Sequence, residues 1–186
     1  MIENPLSPWH AVRVRSRHEK VVFAQLQARQ HEVFLPLYAA KHKWADRWKT
    51  VSLPLFPGYL FCRVARPGRS SVLATPGVID LVRSGSEPAP IAENEIDAIQ
   101  KAVNSPLFTE PYAGLAKGQQ VMMTEGPLKG VTGILMETRR DLRMVLSVQL
   151  LQRSIVIEIE REWIAPVEPE RSLLNWLDSA SDYPIA

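Results

Sequence analysis

Pro54-Leu55-Phe56-Pro57-Gly58-Tyr59-Leu60-Phe61-Cys62-Arg63-Val64 is the stretch on which the fold turns. Proline fixes φ and lacks an N–H, while glycine enters left-handed φ at no steric cost, so 54–58 must turn. The six residues that follow are apolar at nearly every position. Such a run is buried on both faces, and it reads as a central strand entered through a Pro-Gly turn.

Before the turn, 39–52 is polar and basic, with Lys41, His42, Lys43, Trp44, Arg47, Trp48 and Lys49. It reads as an extended hairpin with Ala45-Asp46 near its tip. A second strand is expected over 33–38, marked by Val33, Phe34 and Leu37. A first strand is expected over 9–15, where Val12 and Val14 alternate with Arg13 and Arg15. Between these two strands, Ser16 and Glu19 have capping-box spacing, and Val22, Phe23 and Leu26 give 17–29 the stripe of a helix.

After the central strand, 69–75 predicts a short helix ended by Pro76-Gly77, and 78–82 predicts another strand broken off by Pro88-Ala89-Pro90. Ile96, Ile99 and Val103 recur at helical spacing over 93–103, and Glu93 and Glu95 complement the dipole of that helix's first turn. The order implies an α+β unit over 9–103, helices against a mainly antiparallel sheet, preceded by an extension over 1–8. Pro106, Pro111 and Gly114 mark 104–116 as a linker. Over 117–167 the pattern changes to short strands: Leu146, Val148 and Leu150 alternate with Ser147 and Gln149, and Ile155, Ile157 and Ile159 follow at the same period. A small barrel suits this pattern. The tail, 168–186, carries at most a helical turn around 173–177.

The 186 residues, 46% of them hydrophobic, are enough for two small packed domains. No apolar run approaches the ~20 residues a membrane span needs, and residues 1–8 lack the basic start and apolar stretch of a signal peptide. One cysteine, Cys62, leaves no disulfide framework and no cysteine-based zinc cluster. A cytoplasmic monomer is expected, with no membrane association. Charge is divided unevenly. Residues 9–66 carry eleven Lys/Arg against three acids together with all four histidines, whereas 67–186 carries eleven against sixteen. The basic half suits a polyanion, or else is a solvated surface. His10, His18, His31 and His42 share no metal-ligand spacing, and Gly126 to Gly133 lacks the Lys-Ser/Thr ending of a phosphate loop. No catalytic residue, metal or cofactor is expected.

Two sets of residues carry a family resemblance. Pro54-Leu55-Phe56-Pro57-Gly58-Tyr59-Leu60-Phe61, with Thr75-Pro76-Gly77-Val78 and Pro88-Ala89-Pro90-Ile91, resembles the N-terminal NGN domain of NusG-family transcription factors. Gly126-Pro127-Leu128-Lys129-Gly130-Val131-Thr132-Gly133 resembles the family's KOW motif, which sits in an SH3-like β-barrel. The Phe34-Leu35-Pro36-Leu37-Tyr38 run and the Trp-containing hairpin are similar to specialised paralogues of the RfaH, UpxY and LoaP type, whereas Gly58 is the housekeeping NusG choice.

The resemblance implies an elongation or antitermination factor, not an enzyme. Such a factor binds the clamp helices of RNA polymerase's largest subunit through the NGN domain and suppresses pausing or termination. Tyr59, Phe61 and Leu81 match the polymerase-binding patch, though an apolar run also supplies its own core. Arg69, Ser70 and Ser71 match in position a stretch that touches the other polymerase jaw; Ser70 would otherwise cap the following helix. Arg15, Arg17, His18 and Lys20 match in position a surface facing non-template DNA, and read equally as a solvated rim. Trp44 and Trp48 suit base stacking, or packing on their own hairpin, four residues apart. Leu151 aligns with an aromatic position through which the KOW barrel contacts a small-subunit ribosomal protein or Rho. The β-branched alternation over 155–159 implies a barrel that keeps its strands rather than refolding into helices. The alternative is an RNA- or ribosome-binding KOW protein without polymerase association.

Overall fold

The computed structural model describes residues 7–44, 47–64, 68–113, 116, 118–137 and 142–167. The hairpin tip at Ala45-Asp46, Gly114 of the expected linker and the tail 168–186 lie outside them. Strand β1 (Trp9–Val14) leads into helix α1 (Glu19–Ala28) and a short β2 (Val33–Phe34). Strands β3 (Leu37–Lys43) and β4 (Trp48–Pro54) form the expected hairpin, and β5 (Tyr59–Arg63) follows the Pro-Gly turn. Next come α2 (Arg69–Leu73), β6 (Val78–Leu81), β7 (Arg83–Ser84), β8 (Glu87–Pro88), β9 (Pro90–Ile91) and α3 (Glu93–Asn104).

The first sheet has the order β2-β5-β1-β6, with β9 also paired to β1, and all its pairs are antiparallel. Strand β5 is internal, as its apolar run requires. Period-two alternation then sorts its side chains. Leu60 and Cys62 turn toward α1, where Val22 and Leu26 are fully buried with them. Phe61 turns the other way into a core with Trp9, Ile96 and Ile99. Arg63 ties this face to the start of α3 through ion pairs to Glu93 and, at 3.0 Å, to Glu32, while its guanidinium lies 4.6 Å over the Trp9 ring.

The C-terminal part is a six-stranded antiparallel sheet: β10 (Thr109–Ala113), β11 (Gln120–Met123), β12 (Thr132–Glu137), β13 (Leu142–Val148), β14 (Arg153–Glu158) and β15 (Ile164–Pro166). Their spatial order is β10-β14-β13-β12-β11-β15, and among the described residues the two end strands do not pair to close it. Gly133 on β12 is required by close approach: a Cβ there would meet Met144 Cγ at 2.6 Å and the Val145 carbonyl at 2.8 Å. The 104–116 stretch, expected as linker, already contributes β10, paired with β14 over 109–113. Its prolines hid the strand, and Pro111 is tolerated because β10 is an edge.

The two parts share one apolar core. Phe61, Ile96 and Ile99 belong to the same buried cluster as Met144, Leu146 and Ile155, and α3 lies against β13. A polar cleft of about 310 Å³ remains between them, lined on one side by Glu95, Ala98 and Lys101 and on the other by Gly133, Val145 and Ser147.

Candidate docking surface and basic interface

The Pro-Gly turn is held from both sides. Gly58 sits at φ +83°, where a side chain would be strained, and its N–H donates to Glu19 Oε1 at 2.9 Å. Its carbonyl accepts from the Val14 N–H at 2.9 Å. Glu19, only 7% exposed, is therefore committed to this turn. The capping box expected with Ser16 does not form: His18 is the N-cap residue, without a side-chain cap bond. A carboxylate three residues after a serine has the same spacing whichever backbone N–H it finds, so a remote turn took it.

Tyr59 leaves this turn half-buried, its ring at the edge of the shared core. Phe61, two residues on and on the same face, is fully buried, with Phe34 stacked at 6.1 Å between centroids and Phe56 edge-on at 5.5 Å. Leu81, 1% exposed, pairs opposite Val12 on β1 and is sealed on the α1 side. As folded, Phe61 and Leu81 present nothing to a partner, which corrects the expectation of direct contact for these two. They fix the sheet that carries Tyr59.

Arg153 of β14 covers the tyrosine. Its guanidinium lies 5.1 Å from the ring centroid, and Nη1 donates to the Pro57 carbonyl at 2.9 Å. No local pattern announces a contact spanning 96 residues of chain. Glu95 on α3 meets the backbone of Gln149 across the same junction, and burial raises its carboxyl pKa above the ordinary value despite that bond. Leu151, in the 3₁₀ turn Gln149–Leu151, is partly buried against the shared core.

Arg69, Ser70 and Ser71 lie at the start of α2, where Gly68 rather than Ser70 is the N-cap residue. Arg69 pairs with Glu87 at 2.9 Å. Ser71 is engaged internally: its carbonyl accepts from Arg29 Nη1 at 3.0 Å, and its hydroxyl meets His31 Nε2 at 3.1 Å. Ser70 alone of the three is exposed.

Arg15, Arg17, His18 and Lys20 are all exposed around the β1–α1 junction. Arg17 takes φ +63°, which turns the chain tightly there. Lys20 Nζ donates to the Ser52 carbonyl at 2.7 Å, joining this cluster to the base of the β3–β4 arm. Of the two tryptophans expected to stack on bases or pack on their own hairpin, Trp44, 53% exposed, packs there against Lys49, whose ammonium lies 4.5 Å over its ring, while Trp48 is left 66% exposed.

Among the described residues, no three His, Cys, Asp or Glu side chains gather as a metal site, and no helix is long and apolar enough to cross a membrane. Cys62 is buried and free, and desolvation pushes its thiol up to about 12. His10 is 3% exposed, and burial lowers its pKa below the ordinary 6.5 even though it hydrogen-bonds the Pro8 carbonyl at 3.0 Å.

Comparison with known proteins places this geometry. The family model described as "Transcription termination factor nusG" matches residues 7–100. The transcription termination/antitermination protein NusG of Halalkalibacterium halodurans is 26% identical over 167 residues, covering 82% of this chain and 94% of that one. NusG of Escherichia coli K12 is 25% identical over 179 residues, covering 86% and 96%. A solved structure titled "Domain interaction in Thermotoga maritima NusG" superposes with a TM-score of 0.53 at 20% identity, covering 87% of this chain and 98% of that one. With an NGN-type sheet and helices joined to a C-terminal sheet domain, and this agreement along nearly the whole length, the chain belongs to the NusG family of transcription termination/antitermination factors.

Proposed function

We propose that this protein binds the clamp helices of RNA polymerase's largest subunit through the surface around Tyr59 and suppresses pausing or termination. The carrying observation is Tyr59 itself: an aromatic side chain only partly buried, beside a turn braced by Glu19 and Val14. Tyrosine suits such a contact, since its ring buries apolar area while its hydroxyl stays wet. Phe61 beneath it makes the platform stiff, so little ordering entropy is lost on docking.

The factor works by binding energy alone. A ligand that prefers one polymerase conformation raises that conformation's population by its differential affinity, with no chemistry of its own. Arg153 occupies the tyrosine face, so docking at Tyr59 competes with the contact between the two sheets. In this reading Arg15, Arg17 and His18, exposed around the β1–α1 junction, meet non-template DNA while the NGN-type sheet is docked, and exposed Ser70 meets the other jaw. Leu151 takes part in recruiting a ribosomal or termination partner once the sheets separate, because its side chain now leans on the shared core.

Pause lifetimes in single-round transcription with purified polymerase test this reading. Wild-type protein shortens them, and Tyr59→Ala abolishes the effect. Equal activity of the two proteins would overturn it.

A further inference from the structure

The β3–β4 hairpin projects as a two-stranded arm whose register fixes what each face carries. Lys43 pairs with Trp48 and Lys41 with Thr50, so these four side chains share one face. His42 pairs with Lys49, and the Trp44 N–H donates to the Arg47 carbonyl at 2.8 Å, which puts Trp44 on the opposite face. The two indoles therefore cannot pack on each other.

They also differ in state. The Lys49 ammonium lies 4.5 Å over the Trp44 ring, so that ring already holds a cation. Trp48 is 66% exposed, and among the described residues no ring or cation covers it. A large indole left bare costs apolar hydration, and here it stands directly opposite one lysine and about 7 Å, two strand residues, from the next. Of the charged residues over 41–49, four are Lys or Arg and one is acidic. The Lys20–Ser52 contact continues this positive surface from the arm's base to the β1–α1 junction.

We propose that the Trp48 face of the arm binds single-stranded nucleic acid, with an unpaired base stacked on the Trp48 indole and the flanking phosphates on Lys43 and Lys41. The charge selects a polyanion. The bare ring selects an unpaired base over a duplex, since bases within a duplex already stack on each other. Trp44, clipped by Lys49, stiffens the opposite face. The site is separate from the Tyr59 surface and does not depend on polymerase.

Fluorescence anisotropy tests it with the full chain, a labelled 15-nucleotide oligo-dT and a 15-base-pair duplex, in the absence of polymerase. The oligonucleotide binds more tightly than the duplex, and Trp48→Ala weakens oligonucleotide binding about 5- to 150-fold. Lys43→Ala lowers the slope of log affinity against log salt by about 0.7, one phosphate's worth on a single strand. Trp44→Ala costs less than half as much, in logarithmic terms, as Trp48→Ala. Urea denaturation confirms that the variants fold, as expected for side chains this exposed. Wild-type affinity in Trp48→Ala, tighter binding of the duplex, or a loss at Trp44 equal to that at Trp48 would each overturn the assignment.

Discussion

Replacing Phe61 by alanine separates a core role from an interface role at the residue where the two were hardest to tell apart. The side chain is 0% exposed, stacked on Phe34 and edge-on to Phe56. Emptying such a site removes the transfer free energy of the ring and leaves a cavity, a loss of about 3–5 kcal/mol. That is a large part of the ~5–15 kcal/mol that holds a typical domain together. With a urea dependence of about 2 kcal/mol per molar, the unfolding midpoint falls by roughly 1.5–2.5 M. Fluorescence of the buried Trp9, in the same cluster, reports the transition. Tyr59→Ala serves as the control: a partly buried side chain should cost about 1 kcal/mol and move the midpoint by about 0.5 M. A Phe61→Ala protein with an unmoved midpoint and lost polymerase binding would refute the reasoning, because the ring would then be an interface residue. With the midpoint shifted as expected, lost polymerase binding by Phe61→Ala says nothing about contact, since the sheet carrying Tyr59 is loosened first.

Arg153→Ala removes one hydrogen bond and one cation–π contact from the Tyr59 face, together about 1–2 kcal/mol, so apparent affinity for polymerase rises by up to about 5–30-fold; unchanged affinity in a titration would contradict the covering role. His10 is held neutral by burial, so the unfolded chain binds its proton more readily. Stability is full above the unfolded pKa near 6.5 and falls as pH drops below it, and a thermal melt series from about pH 7.5 to 5 should show that loss in wild type and a smaller one in His10→Gln. Cys62, its thiol pushed up to about 12, resists iodoacetamide in the native protein at about pH 8 and reacts once urea is added, as mass spectrometry would show.

Much of the fold was legible because its signals are local. The turn at 54–58, the internal strand after it, the hairpin and the Ile96/Ile99 stripe each follow from spacing or from proline and glycine chemistry. The site was legible only to a parity. Alternation places Tyr59 and Phe61 on one face, but which ring is sealed depends on Phe34, Phe56 and α3, segments that a strand pattern cannot locate. The same limit explains Glu19, whose carboxylate serves Gly58 rather than its own helix, and Arg153, whose partner Tyr59 lies in the other sheet. Strand β10 was missed because Pro106, Pro111 and Gly114 resemble a linker, and only pairing with β14 makes 109–113 an edge strand. The tryptophans of the arm show the same limit: a spacing of four does not say which face each takes, and register sets Trp44 against Lys49 on one face and leaves Trp48 exposed on the other.

The most direct measurement is equilibrium binding of core RNA polymerase to wild-type and Tyr59→Ala proteins, both first shown by urea denaturation to be folded. Loss of an aromatic anchor at the centre of an interface costs at least about 2 kcal/mol, so the variant should bind about 30-fold more weakly or worse. Affinities equal within error would contradict the claim that this protein meets polymerase through Tyr59.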